Sequence, residues 1–111
     1  MNKQELFKKL AERPLKVITV ECEDLGSVYL KEMNGASRDR FEMSLNDNDL
    51  KTTSVRALLV SLHLCDPNGE LFEFSDAERE QLAEGISGKT LDKLFDECRK
   101  LSGLVEDSEG N

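Results

Sequence analysis

The chain has 111 residues, of which 34 % are charged and 38 % hydrophobic, and a formal net charge of −8. One domain with one core fits that length, built mainly from leucine and valine because there is no tryptophan and only 5 % of residues are aromatic. The negative field repels nucleic-acid phosphates and anionic lipid headgroups, so neither is an expected partner, and no run approaches the roughly 18 apolar residues of a membrane span.

The opening, MNKQELFKKLAERP, mixes both charge signs where a signal peptide keeps an apolar stretch, which predicts a cytosolic address. Cysteines Cys22, Cys65 and Cys98 lie far apart and are odd in number, so reduced thiols are expected rather than a disulfide framework. Within the same opening, Leu6, Phe7 and Leu10 recur at helical spacing with lysines between them. Pro14 disfavours helical geometry at Arg13, which predicts a short amphipathic helix over 2–12.

β-Branched residues then crowd Val17 to Val20, and apolar and polar residues alternate after Gly26. This predicts a β-hairpin over 15–33, with strands near Leu15–Cys22 and Ser27–Met33. An isolated hairpin is marginal in water, so its apolar face must lie on helices or against another chain's strand. After an Asn34-Gly35 turn, Ser37 is a candidate N-cap for a short helix that places Phe41 and Leu45 on one face. NDNDLKTT is polar, has no periodicity and reads as a flexible loop.

SVRALLVSLHLCD admits two readings. As a helix, Val55, Leu58, Leu59, Leu62 and Cys65 form one stripe, with Thr52, Thr53 or Ser54 as cap and Arg56, Ser61 and His63 on a wetter flank. As a strand, Leu58, Val60, Leu62 and Leu64 alternate with Leu59, Ser61, His63 and Cys65 and pair with ELFEF. The helix is the preferred reading, and the conformation of Val55 to Cys65 stays open. DPNG then has the residues of a turn, with Asp66 capping the corner and Gly69 relieving the exit.

Two helices follow. SDAEREQLAEGIS starts at a Ser75 or Asp76 cap and buries Ala77, Leu82, Ala83 and Ile86. GKTLDKLFDECRKLSGL presents Leu91, Leu94, Phe95, Cys98 and Leu101 as one stripe, carries Arg99 and Lys100 in its last turn, and stops at Gly103. The closing VEDSEGN is acidic and predicted unstructured. The fold class is therefore α+β: a mainly helical small domain over 1–104, with an N-terminal hairpin packed on three to four short helices of a helical part over 36–104, and an acidic flexible tail at 105–111.

Chemistry is sparse. His63, Cys65 and Asp66 stand within four positions and carry side chains suited to a thiolate nucleophile or a zinc site, but no CxxC or HxxxH supplies further ligands. Asp66 is better employed in its own turn and Cys65 in the core, with His63 either a flank residue or a buried, satisfied one. With one histidine, no Gly-rich phosphate loop, no GxSxG and no HExxH, the chain is not expected to be an enzyme, and no cofactor or metal is expected. The last two helices invite a helix-turn-helix reading, but the outer face of the second mixes Lys89, Lys93, Arg99 and Lys100 with Asp92, Asp96 and Glu97. What remains is a protein that works through its surface.

The order of segments carries a resemblance. SVYLKEM running into SRDRFE, RALLVSLHLCDPNGELF with its D-x-x-G turn, FSDAEREQLAE, and LDKLFDECRKLSGL before an acidic tail together resemble the tail assembly chaperones of long-tailed bacteriophages and related prophages. The likeness runs from about Leu15 to the end, and the leucine pattern from Leu91 to Leu104 is its most telling part. It implies a non-enzymatic protein of the bacterial host cytoplasm, absent from the mature virion. It also implies self-association and binding to the helical tape measure protein, whose apolar stripes stay soluble while tail tube subunits are recruited.

The resemblance further implies a longer product made by ribosomal frameshift, whose extension recruits the major tail protein. Glu109-Gly110-Asn111 can be encoded GAG-GGA-AAC, which holds the slippery run G-GGA-AAC in the correct phase. Residues left apolar after the core closes are the expected partner contacts: Leu6, Phe7 and Leu10 at one end, and Leu101 and Leu104 at the other. The alternative for all five is that they complete the core or fray. The alternative for the whole chain is a small acidic regulatory module, an inhibitor, adaptor or nucleic-acid mimic, whose carboxylates are themselves the contact surface.

Overall fold

A computed structural model describes residues 1–46 and 54–104. The polar loop expected after Asn46 and the tail expected at 105–111 lie outside the described residues. Among those described, the chain is α+β, as expected, with five helices and one three-stranded antiparallel sheet. In chain order these are α1 (Lys3–Glu12), β1 (Val17–Cys22), β2 (Gly26–Lys31), α2 (Gly35–Leu45), α3 (Val55–Ser61), β3 (Leu64–Cys65), α4 (Asp76–Gly85) and α5 (Gly88–Leu101).

The hairpin forms in the predicted place, in a register running from Val17 opposite Lys31 to Cys22 opposite Gly26. Gly26 takes φ +78°, a conformation that L side chains rarely adopt, and so closes the short Glu23-Asp24-Leu25 connection. Strand alternation turns Ile18, Val20 and Cys22 inward and leaves Val17, Thr19 and Glu21 exposed. Helix α5 packs on β1, and Val20, Cys22 and Leu30 share one cluster with its Leu94 and Cys98, so the hairpin is backed by helix rather than left as a free ribbon.

Both readings of the apolar run hold, each for part of it. Ser54 caps α3, which stays helical to Ser61, and Leu64–Cys65 then becomes β3, paired with β2 as Tyr29 opposite Cys65 and Leu30 opposite Leu64. ELFEF supplies only a single bridge, Leu71 to Cys65, and not a second hairpin strand. Of the wetter flank only Arg56 is exposed: Ser61 and His63 are buried, and Val55, expected on the apolar stripe, is exposed. The physical reason is the strand that follows. The Lys31 N–H donates to the His63 carbonyl at 2.8 Å, which draws this end of α3 down beside β2.

The DPNG turn is as predicted. Asp66 Oδ1 accepts from the N–H groups of Asn68 at 2.8 Å and Glu70 at 3.0 Å, and Gly69 takes φ +85°. Helix α2 starts earlier than expected. Asn34, not Ser37, is its N-cap, and Asn34 Oδ1 accepts from the Ser37 N–H, so Asn34-Gly35 is a helix entrance rather than a turn before one. Phe41 is buried there, but Leu45 at the frayed end is exposed.

Helix α4 carries a full capping box between Ser75 and Glu78. Leu82, Ala83 and Ile86 are half-buried, whereas Ala77 is exposed and Arg79 takes the buried position in the first turn. Arg79 can do so because its guanidinium donates to the Phe74 carbonyl and to Asp76 while its stem lies along apolar surface. Helix α5 matches its predicted stripe: Leu94 and Cys98 are buried, and Leu91, Phe95 and Leu101 pack against the core cluster. Gly103, at φ +69°, ends it.

Candidate functional site

The sequence cluster of His63, Cys65 and Asp66 does not converge on a common point. His63 lies wholly inside the protein, with Nδ1 2.7 Å from the Leu59 carbonyl and Nε2 2.7 Å from Ser102 Oγ. A carbonyl only accepts, so Nδ1 carries the proton and the bare Nε2 accepts from the Ser102 hydroxyl. Burial lowers the pKa of the ring. Cys65 is a buried thiol whose pKa burial raises, and Asp66 faces the backbone of its own turn. Among the described residues, no group of three or more His, Cys, Asp or Glu side chains is placed to hold a metal ion.

The other thiols are no better suited to chemistry. Burial raises the pKa of Cys22, and that of Cys98 is pushed beyond the range in which a thiolate forms in water. A cleft beside Cys22, lined by Asp24, Ser87, Lys89, Thr90 and Lys93, is a junction between elements. Asp24, at the hairpin tip, accepts from the Thr90 hydroxyl at 2.8 Å and meets Ser87, the N-cap of α5, while Lys93 donates to the Glu21 carbonyl. These bonds hold the Asp24 carboxyl below its usual pKa and lock β1 and its turn onto the start of α5.

The outer face of α5 mixes charges, as expected, and most are paired. Asp92 meets Arg56 of α3 at 2.5 Å, Asp96 lies 3.8 Å from Arg99, and Glu97 lies 3.7 Å from Lys100. A face of alternating, mutually paired charge offers few free cations to a phosphate backbone.

The apolar surface is more informative. No residue of α1 is buried: Leu6 is 41 % exposed, Phe7 61 % and Leu10 60 %. Asn2 caps the helix through the Glu5 N–H, and the spacing of the three residues puts them on one stripe flanked by Lys3, Lys8 and Lys9. An isolated helix of ten residues is marginal in water, so this stripe has the character of a segment that gains order against a partner. Leu101 and Leu104, nominated with it, differ: both are half-buried and packed against the core cluster. The five candidate contacts thus divide into three open residues and two tucked ones.

Charge divides along the same line. Residues 1–16 hold five lysines and arginines against two acids, and the rest of the chain holds ten against twenty-one. The basic segment that holds α1 thus contrasts with a strongly acidic remainder of the chain.

A second apolar surface escaped sequence reasoning. Leu62, Leu71, Phe72 and Phe74 line a cleft with Arg40 and Arg79, and Phe72 and Phe74 meet edge to face at 6.4 Å. Phe72 is 49 % exposed although its N–H donates to the Leu64 carbonyl. The signal was the apolar ELFEF, which reads as a paired strand but runs past the last ladder bond and leaves its aromatic rings at the surface.

No family model matches the sequence. No curated protein matches it either. The fold, by contrast, is similar to a solved structure, the tail assembly chaperone of bacteriophage HK97, with a TM-score of 0.60 over 93 % of this chain and 99 % of that one. Sequence identity is 21 %, so the likeness is one of fold, and it falls on the same kind of protein that the order of sequence segments resembles.

Proposed function

We propose that the chain is a non-enzymatic tail assembly chaperone, which binds the helical tape measure protein and helps recruit tail tube subunits during morphogenesis. The observation that carries this reading is the fold likeness to the HK97 tail assembly chaperone, which spans nearly the whole of both chains. The exposed stripe of α1 supports it physically. A helix with apolar anchors at i, i+1 and i+4 is suited to packing along the apolar stripe of another helix, and its lysines suit a client carrying acids beside that stripe.

In this reading Leu6, Phe7 and Leu10 make the first client contacts, and Leu101 and Leu104 extend them once released from the core. The net charge of −8 keeps the loaded complex soluble by mutual repulsion. The protein works in the host cytoplasm as a self-associating species, and a frameshifted longer product brings in the major tail protein.

Co-expression with a phage tape measure protein tests the proposal. The expected outcome is that the long helical protein moves from the insoluble to the soluble fraction and co-purifies with the chaperone in high salt. A complex that falls apart as salt rises to several hundred millimolar would instead favour the acidic mimic, whose contacts are charged and screened.

A further inference from the structure

Three parts of the chain meet at one hydroxyl. Ser102, the C-cap of α5, accepts from the Met33 backbone N–H at 3.0 Å and lies 2.7 Å from His63 Nε2. The other ring nitrogen is 2.7 Å from the Leu59 carbonyl. With the ring neutral, as its burial favours, one placement of protons satisfies all three contacts: Met33 N–H to Ser102 Oγ, Ser102 O–H to Nε2, and Nδ1–H to Leu59. The end of α5 depends on this chain of bonds. Just past Ser102 the backbone reverses at Gly103, the Leu104 N–H returns to the Arg99 carbonyl at 2.7 Å, and Leu101 and Leu104 lie against the core.

We propose that His63 is a pH-sensitive pin: the neutral ring fastens the last turn of α5 to the α3–β3 junction, and protonation at Nε2 unfastens it and frees Leu101 and Leu104. This deepens the chaperone reading by assigning a control to two of its client contacts, and it rests on that reading only for its biological use.

A proton on Nε2 converts an acceptor into a donor. The Ser102 O–H then loses the acceptor it had, and a cation sits in a fully buried place. No carboxylate comes to its aid. On the elements of this region, Lys31 on β2 donates to the Gly69 carbonyl, Arg38 on α2 pairs with Glu42, and Arg56 on α3 pairs with Asp92 on α5. Asp96 and Glu97 on α5 pair with Arg99 and Lys100, Glu32 after β2 accepts from the Lys16 N–H, and Asp66 after β3 caps its turn. Burial lowers the basicity of the ring, and the Leu59 hydrogen bond opposes it. The least costly relief is to open the last turn of α5, which leaves the sheet and α3 intact.

Amide hydrogen exchange by NMR on the full chain tests the pin, read at Ser102, Gly103 and Leu104 near pH 7.5 and pH 5 and corrected for intrinsic rates, alongside the His63 ring titration. Protection at these three amides is expected to fall by about tenfold or more as the ring titrates, while Leu58 to Val60 stay protected. Ser102→Ala is expected to show low protection already near pH 7.5 and to lose the acid step. His63→Gln, which can still accept from Ser102 but does not titrate, is expected to stay protected at both values. Constant protection at 102–104 while the ring titrates, or an acid step that survives in Ser102→Ala, overturns the pin. If His63→Gln does not fold, Ser102→Ala decides alone. Failure to bind a client would leave each of these outcomes standing.

Discussion

Replacing Leu6, Phe7 and Leu10 together by serine separates a partner-binding helix from a structural one. Between them the three residues leave about 1.6 side chains' worth of surface open, and fully burying one such side chain contributes about 1.5–3 kcal/mol, so docking α1 gains roughly 3 kcal/mol from this stripe. Loss of that amount weakens client binding by about two orders of magnitude. Folding stability has little to lose, because α1 buries no residue, and surface changes usually stay within about 0.5 kcal/mol, or roughly 3 °C of melting temperature in a domain this size. Calorimetry or fluorescence anisotropy with a client helix, beside a thermal melt, reads both quantities. A melting temperature that drops by 8 °C or more, of the order that about 2 kcal/mol produces, would mean that α1 belongs to the core in solution. Undiminished client binding would mean that another surface does the work.

Three further outcomes are expected. The His63 ring is held below its ordinary pKa of 6.5 by burial, so the unfolded chain binds the proton more readily than the folded one. Stability is therefore full above that value and falls as pH drops below it, a slope that urea melts between pH 8 and pH 5 will show and that His63→Gln will remove. At Gly69 an added Cβ meets both a positive φ and Val17 Cγ2 at 3.2 Å, whereas at Gly103 it meets only the positive φ. Gly69→Ala should thus cost more than the roughly 1–2 kcal/mol expected of Gly103→Ala, and equal losses in chemical denaturation would refute the packing part of that account. Cys22, Cys65 and Cys98 are buried free thiols, so a thiol reagent should react with none of them quickly in native buffer and with all three in denaturant; fast native labelling would mean that the core opens readily.

Much of the fold was legible because local chemistry and tertiary packing agree over most of the chain. The alternation around Val17 to Leu30 and the stripe from Leu91 to Leu101 each match the period of the element they form, and the Asp66 turn is fixed by side chain to backbone bonds within five residues. The errors fall where a distant partner decides. Ser61 and His63 looked like a wet flank because nothing local says that β3 will pair with β2 and that the end of α5 will meet His63. Arg79, and not Ala77, takes the buried place because its guanidinium finds the Phe74 carbonyl, a neighbour set by how the chain enters α4. Among the nominated contacts, the lysine-flanked Leu6, Phe7 and Leu10 are open, which their spacing alone left undecided. Leu101 and Leu104 are tucked against the core because Gly103 turns the backbone there, which leucine spacing alone does not reveal. The aromatic cleft around Phe72 went unread because ELFEF carries the pattern of a strand without the partner that would complete one.

The contact between the hairpin and α5 bears on the order in which the molecule assembles. Asp24 reaches Thr90, and Lys93 reaches back to Glu21, across 66 and 72 positions of chain. While a ribosome is still adding residues 88–101, the inner side of the first two strands has no lid, and local helices are the only structure the nascent polypeptide can hold cheaply. Closure therefore waits until α5 has been made, and until it happens Val20, Cys22 and Leu30 are open to whatever apolar segment lies nearby.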